Sequence, residues 1–429
     1  MSVSESDANP ALHLFLDNIL SIHAQEAASL CETRTVQVRL PHVNLHSLKR
    51  PDDRLLAHFD GLAVAGEHAQ RLLDAELENP SRGSAFAVAV RALESRQPES
   101  LERLWTLANE VPSVADGLTM AFGWAEPRYL QGVVKNLLKS DDPLKRVAGL
   151  AACAMHRTDP GLESGPWLAA PAPAVRARAL RATGELGLRE LASRCRAAMA
   201  DDDPECRFWG AWSAVLLGDR GEALERQGQI TLTQDAAHHD RAFRLAMQAW
   251  NLPSAHALLQ AFAVDPAQVR WLIQGSGIAG DPTYVPWLID RMAKPETARL
   301  AGEAFTLITG ADLDALQLWC AQPEDFESGP TENPEDENVE MDPDEGLMWP
   351  DPEKVHRWWG ASANRFQPGK RYFMGKPVTR EHCIDVLKNG YQRQRILAAH
   401  YLCLLEPGTP LFNTSAPAWR QQRLLATMT

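Results

Sequence analysis

Asp142-Pro143-Leu-Lys-Arg146-Val-Ala148-Gly-Leu-Ala-Ala-Cys-Ala-Met155 carries a punctuation that returns down the chain. Pro173-Ala-Val-Arg176 with Ala179, and Asp203-Pro204-Glu-Cys-Arg207 with Gly210, repeat it, and Pro266 and Pro295 open two further apolar runs. The five prolines are 30, 31, 62 and 29 residues apart, so the gap of 62 reads as two units with one helix start missing. Proline suits the first position of a helix, where its missing N–H has no intrahelical partner to lose. Asp142, Asp203 and Asp265 precede three of them, and an aspartate there accepts a bond from the free N–H groups of the first turn. Gly187, Gly218, Gly280 and Gly310 close several runs at multiples of about 30 residues, as glycine does just past a helix end. A helix start and stop in phase at this period predict stacked helix pairs.

The second helices of these pairs are expected at 143–155, 173–186, 204–217, 237–250, 266–278 and 295–308. Arginine follows the proline by three places at Arg146, Arg176 and Arg207, and by four at Arg270 and Arg299. Small residues at Ala148, Ala179 and Gly210 allow neighbouring helices to approach closely. The fold class is all-α, an α-solenoid, with four regions: a helical N-terminal cap at 1–126, the repeat array at 127–320, an acidic insert at 321–346, and a C-terminal helical segment at 347–429. Leu12, Phe15, Leu16, Ile19 and Leu20 share one face of a first helix, while Thr35–Leu40 alternates as TVQVRL and reads as a brief strand or an extended linker.

Composition narrows the function. The chain has 429 residues, a net charge of −13 and 45% apolar residues, with mean hydropathy −0.29. Residues 321–346 hold eleven acidic side chains and no basic one, which leaves only −2 for everything else. A nearly neutral body has no field to attract nucleic acid through counterion release. That insert buries too little to order itself and reads as solvated. No run reaches the roughly 20 apolar residues of a membrane span. The first residues lack a basic region and a cleavage site, so the expected location is cytoplasmic. Seven cysteines without a C-x-x-C pair read as reduced core residues rather than disulfides or zinc ligands.

No catalytic constellation emerges: H-E-x-x-H, G-x-S-x-G, the Walker phosphate loop and G-x-G-x-x-G are all missing. No cofactor or metal is expected. His238-His239-Asp240 points its side chains about 100° apart on a helix and reads as a surface cluster. Asp342-Pro-Asp-Glu-Gly346 imitates half a calcium loop, with Glu353 at position twelve, but the residues between do not fit the ligand positions.

Trp358 and Trp359 cannot face one side of a helix together. One ring either covers the turn that follows or remains available to a partner. With Arg365, Phe366, Lys370, Arg371 and Tyr372, they form an aromatic and basic group of the composition enriched at protein interfaces. These seven are the candidate partner-binding residues. Pro143, Pro173, Pro204, Pro266, Pro295, Arg146, Arg176 and Arg207 are structural repeat positions.

The Asp-Pro, Arg and Ala/Leu pattern resembles HEAT-like repeats of the short bacterial type, which implies an inter-repeat ladder of Asp and Arg. Further runs widen the resemblance: Asp60-Gly-Leu-Ala-Val-Ala-Gly66, Ala304-Phe-Thr-Leu-Ile-Thr-Gly310 with Asp312-Leu313, Trp349-Pro-Asp-Pro-Glu-Lys354, Trp358-Trp359, Arg365-Phe-Gln-Pro-Gly-Lys-Arg-Tyr372, Arg393-Gln-Arg395 before Ala398-Ala399, and Leu411-Phe-Asn-Thr414. Together they resemble a family of uncharacterised bacterial proteins with HEAT-like repeats. That resemblance implies a place in type VI secretion loci, beside spike, PAAR-type and effector genes, and a supporting role in secretion. It supplies no catalytic residue. The repeats are also similar to those of phycobilin lyases, though nothing in the sequence suggests a bilin site.

The expected function is therefore a non-catalytic scaffold, an adaptor or chaperone for an effector or spike component, binding through its concave face and the aromatic-basic turn. An immunity protein against a type VI toxin is one alternative. Another is an enzyme with a site around His356, Arg371 and His382.

Overall fold

The computed structural model describes residues 10–233, 237–324, 326–329 and 341–428, with side chains from residue 17 onward. Among these residues the chain is all-α apart from one two-stranded antiparallel ribbon, Tyr372–Phe373 with Lys376–Pro377.

The helices of the 30-residue rhythm form where the punctuation places them. Pro143–Met155, Pro173–Leu186, Pro204–Leu216, His239–Ala249, Val269–Ala279 and Pro295–Thr309 are the second helices. Asp142, Asp203 and Asp265 accept from the N–H groups of Leu144, Cys206 and Ala267 at 2.8, 2.9 and 3.0 Å. Pro266 opens a 3-10 turn, Pro266–Gln268, before its helix. Each second helix packs on the next, and its first-helix partner lies alongside. The row also continues backward beyond the expected boundary at 126, through Pro112–Trp124 to Arg82–Ser95. Arg82–Ser95 is buried from Gly83 to Leu93, on all sides. It has no Asp-Pro start. Ser81 caps it instead, accepting from Ser84 N–H at 3.0 Å.

The two ends of the chain differ from expectation. Thr35–Gln37 do not form a strand; they complete the first helix, Pro10–Gln37. The β-branched alternation yields because the flanking Arg34 and Val38 are buried and Thr35 Oγ1 donates to the Glu32 carbonyl at 2.7 Å. Leu20 lies in the core, whereas the side chains of Leu12, Phe15 and Leu16 lie outside the described residues. At the far end, Arg380–Asn389 and Gln392–Leu405 form the expected pair, and a further helix, Ala418–Leu425, follows.

That C-terminal pair seals onto the array. Leu387, Leu397, Ala398 and Tyr401 share one apolar cluster with Phe243, Met247, Ile278 and Leu307 of the second helices. Burial at about 25 cal/mol per Å² makes such a shared cluster the main force holding the two regions together.

Candidate binding surface

The C-terminal segment touches the ends of the second helices, in forward order from residue 371 to 375 and in reverse order from there to residue 420. Tyr372 N–H donates to the Gly280 carbonyl at 2.8 Å, and Gly375 N–H to Ile308 at 3.1 Å. Arg371 caps the end of His239–Ala249, donating to the carbonyls of Met247, Gln248 and Trp250 at 2.9, 2.7 and 2.8 Å. Leu411 N–H then reaches Glu185 at 3.0 Å, and Arg420 reaches Gly123, Trp124 and Ala125 at 2.7, 3.2 and 3.0 Å. The glycines of the rhythm thus do two jobs. Gly280 ends its helix with φ of 72°, and a Cβ there would lie 2.1 Å from the Tyr372 carbonyl oxygen.

The segment finishes against the N-terminal helices. Arg34 and Asp52 pair at 2.6 Å with side chains 8% and 1% exposed. Arg34 also donates to the carbonyls of Ser415 and Ala416 at 3.0 and 2.9 Å, while Ala418 N–H donates to Asp52 at 2.6 Å. Gln392 N–H donates to the Val43 carbonyl at 2.7 Å. The ends of several second helices are therefore covered by the chain's own C-terminal segment.

The aromatic rings of the aromatic-basic turn pack partly against the body of the protein. Trp358 packs edge-on against Phe305 with centroids 5.6 Å apart, and Trp359 lies 5.5 Å from Phe366, itself 5.1 Å from Tyr372. Both tryptophans are half-buried, Phe366 is buried, and Arg365 and Lys370 are exposed. The buried carboxylate of Asp281 holds the turn by accepting from Gly369 N–H at 3.1 Å.

Arginines of the array divide by partner. Arg146 donates to the Ser140 carbonyl, and Arg207 to those of Asp201 and Asp202 at 2.9 and 2.8 Å. Arg176 reaches one unit onward to Asp201 with two bonds of 2.9 and 2.8 Å. The bridge uses Asp201, not the capping Asp203. Arg270 and Arg299 take carboxylates from the end of the acidic insert. Arg270 holds Asp344 at 2.9 and 2.6 Å, and Arg299 holds Asp342 at 2.7 Å. Phe326 and Trp349 meet edge-on with centroids 4.8 Å apart, with the Arg299 guanidinium over both rings. The insert is thus anchored at its two ends, and Asp344 is buried. Most described residues of 321–346 are exposed and irregular, and Asp344 is the buried one among them; Asp325 and residues 330–340 lie outside the described residues.

A strip of half-buried arginines lies beside the C-terminal pair. Arg178 and Arg181 share Glu185 at 2.7 and 2.8 Å. Burial opposes the Glu185 charge, and the two guanidiniums overcome it to hold the carboxyl at about 2. Arg181 and Arg241 both lie over the Trp209 ring, at 4.6 and 5.1 Å from its centroid. Arg244 pairs with Asp240 at 2.8 Å. It then borders a narrow cleft of about 30 Å³ with Gln274, Glu303 and Arg393 at its polar wall and Ile278, Leu300 and Leu397 at its apolar one. A second groove, of about 320 Å³, is lined by Glu205, Arg207, Phe208, Arg226 and His238. There His238 stacks on Phe208 at 4.0 Å and bonds Glu205 at 2.8 Å. His239 turns away to the Thr231 carbonyl at 2.9 Å.

The other chemistry-bearing residues are dispersed. His382 bonds the Phe373 carbonyl at 2.8 Å, Arg371 is the helix cap described above, and His356 is exposed. Among the described residues no hydrogen bond joins these three. Six cysteines are buried and Cys320 is half-buried, all as free thiols. No group of three or more His, Cys, Asp or Glu side chains is placed to hold a metal ion among the described residues. No helix there is long and apolar enough to cross a membrane. What sequence reading misses is the strip itself, since Arg178, Arg181, Arg241 and Arg244 follow no repeat position. Comparison with family models, curated proteins and solved structures finds no match to this chain.

Proposed function

We propose that the protein is a non-catalytic binding scaffold: an α-solenoid of HEAT-like helix pairs, tied shut along one flank by its own C-terminal segment. The observation that carries this reading is the strip of half-buried arginines from Arg181 to Arg393, with the cleft beside Arg244. Stacked helix pairs commonly work through such a surface, and arginine is enriched where proteins meet. The resemblance to the HEAT-like family of type VI secretion loci adds the role of cytoplasmic adaptor or chaperone for an effector or spike component.

Deleting the gene in the native organism tests the role. An adaptor is required for export of its cargo, and the cargo co-purifies with the tagged full chain. Cells that instead become sensitive to a neighbouring toxin, with export intact, identify an immunity protein and overturn the adaptor reading.

A further inference from the structure

We propose that the strip at Arg181, Arg241 and Arg244 receives an extended acidic peptide segment, whose carboxylates engage guanidiniums on the two second helices that flank Pro204–Leu216. This rests on the scaffold reading and names the chemistry that its surface takes.

Arg241 supplies the first observation. Its half-buried guanidinium lies over Trp209 and, among the described residues, makes no hydrogen bond or ion pair. A cation withdrawn from water without an anion is unfavourable, and a carboxylate arriving there removes that penalty. Arg181 on one side and Arg244 on the other already hold carboxylates at 2.8 Å, so the geometry for pairing is in place.

The second observation is a precedent within the molecule. Asp342-Pro343-Asp344 seats its two carboxylates on Arg299 and Arg270, which belong to consecutive second helices. Arg393 adds a bond to the Pro343 carbonyl at 3.1 Å. Two acidic residues, one apart, therefore bridge adjacent helices of this array. Arg244 and Arg241 stand on the next helix along the row.

The cleft beside Arg244 sets the ligand class. Its apolar wall of Ile278, Leu300 and Leu397 lies beside the Arg244 and Arg393 guanidiniums, offering apolar contact next to charge. Trp209 is 6% exposed and its ring is covered by the two guanidiniums. No open aromatic face remains there for a stacked base, which nucleic-acid grooves use. A peptide satisfies both the charge and the apolar wall.

The test is fluorescence anisotropy with the full chain and a fluorescein-labelled synthetic peptide of two Asp-Pro-Asp units, against the same peptide with Asn at every Asp. The acidic peptide binds and the Asn peptide does not, and binding weakens as salt rises from roughly 50 to 300 mM. Arg241→Gln weakens it by about tenfold or more, Arg241→Lys by less, and Arg128→Gln, on an exposed outer turn, leaves it unchanged. If thermal melting shows that R241Q is misfolded, R244Q supplies the same comparison. Equal binding of both peptides, or unchanged affinity in R241Q and R244Q, overturns the proposal. So does displacement by inorganic phosphate or a single-stranded oligonucleotide at matched charge. A native partner held equally by wild type and R241Q overturns this site but leaves the scaffold standing; peptide binding without any native partner contradicts the scaffold alone.

Discussion

The arginines at the repeat positions and two arginines of the C-terminal segment act over contrasting distances. Within the array, Arg146 and Arg207 cap the turn just before their own helices, five or six residues away. Arg176 reaches only one unit on. In the C-terminal segment, Arg371 and Arg420 cap helix ends 121 to 297 residues earlier in the chain. The first pattern builds helices that are satisfied locally and can be stacked in any number. The second turns that stack into one closed body. Local rules make the array; long-range ones decide which of its surface remains open.

Breaking the junction between the two regions should have the largest effect. Arg34→Met leaves Asp52 buried with a single backbone donor, at a cost of about 3–5 kcal/mol, read from urea unfolding followed by circular dichroism. A loss below roughly 1 kcal/mol, the range of exposed pairs, would mean that the ends of the chain do not close in solution.

Gly280→Val sharpens the comparison at a single contact. The side chain meets the Tyr372 carbonyl on a backbone that disfavours any side chain, and the expected cost is about 2–3 kcal/mol by the same measurement. An equal cost in a chain already carrying Arg371→Ala would show that Gly280 serves its helix end alone.

The pH dependence reports on the interface from inside. Burial, with Arg241 and Arg244 nearby, pushes the His400 imidazole down to about 3. An unfolded imidazole titrates near 6.5, so below that pH the unfolded chain gains a proton that folded His400 refuses. This contribution to stability is complete above about pH 6.5 and declines by about 1.4 kcal/mol per unit as pH falls toward the folded value. His400→Gln should flatten that slope in unfolding curves taken from about pH 6.5 to 5. An unchanged slope would place His400 in contact with water.

The smallest effect is the control. Gly360, in helix Pro352–Ser362, faces open space: a Cβ there would have no neighbouring atom within 4 Å. Gly360→Ala should stabilise the chain by about 0.5–1 kcal/mol through helix propensity. Destabilisation there would reveal a packed neighbour.

How legible each region is in the sequence follows from the same difference. Proline, aspartate and glycine act on the residues next to them, so the second helices can be read within a few residues of their ends. Arg82–Ser95 escapes because its cap is Ser81 and its all-round burial erases periodicity. The aromatic-basic turn is recognisable as a group, but its composition suits a partner and an internal cluster equally, and Phe305 and Asp281, which contact it, lie far away in sequence. Asp342 and Asp344 read as two of eleven solvated charges until Arg299 and Arg270 stand beside them. The strip at Arg241 is invisible for the same reason. An unpaired charge is defined by what fails to reach it.

Amide hydrogen exchange at Gln392, Leu411 and Ala418 tests the closed architecture most directly. Their N–H groups donate to Val43, Glu185 and Asp52, acceptors hundreds of residues away. Protection at all three close to that of the core amides of Pro204–Leu216 is the expected result. Exchange at the rate of an unstructured peptide would mean that the C-terminal segment stands free of the array and leaves its helix ends uncovered.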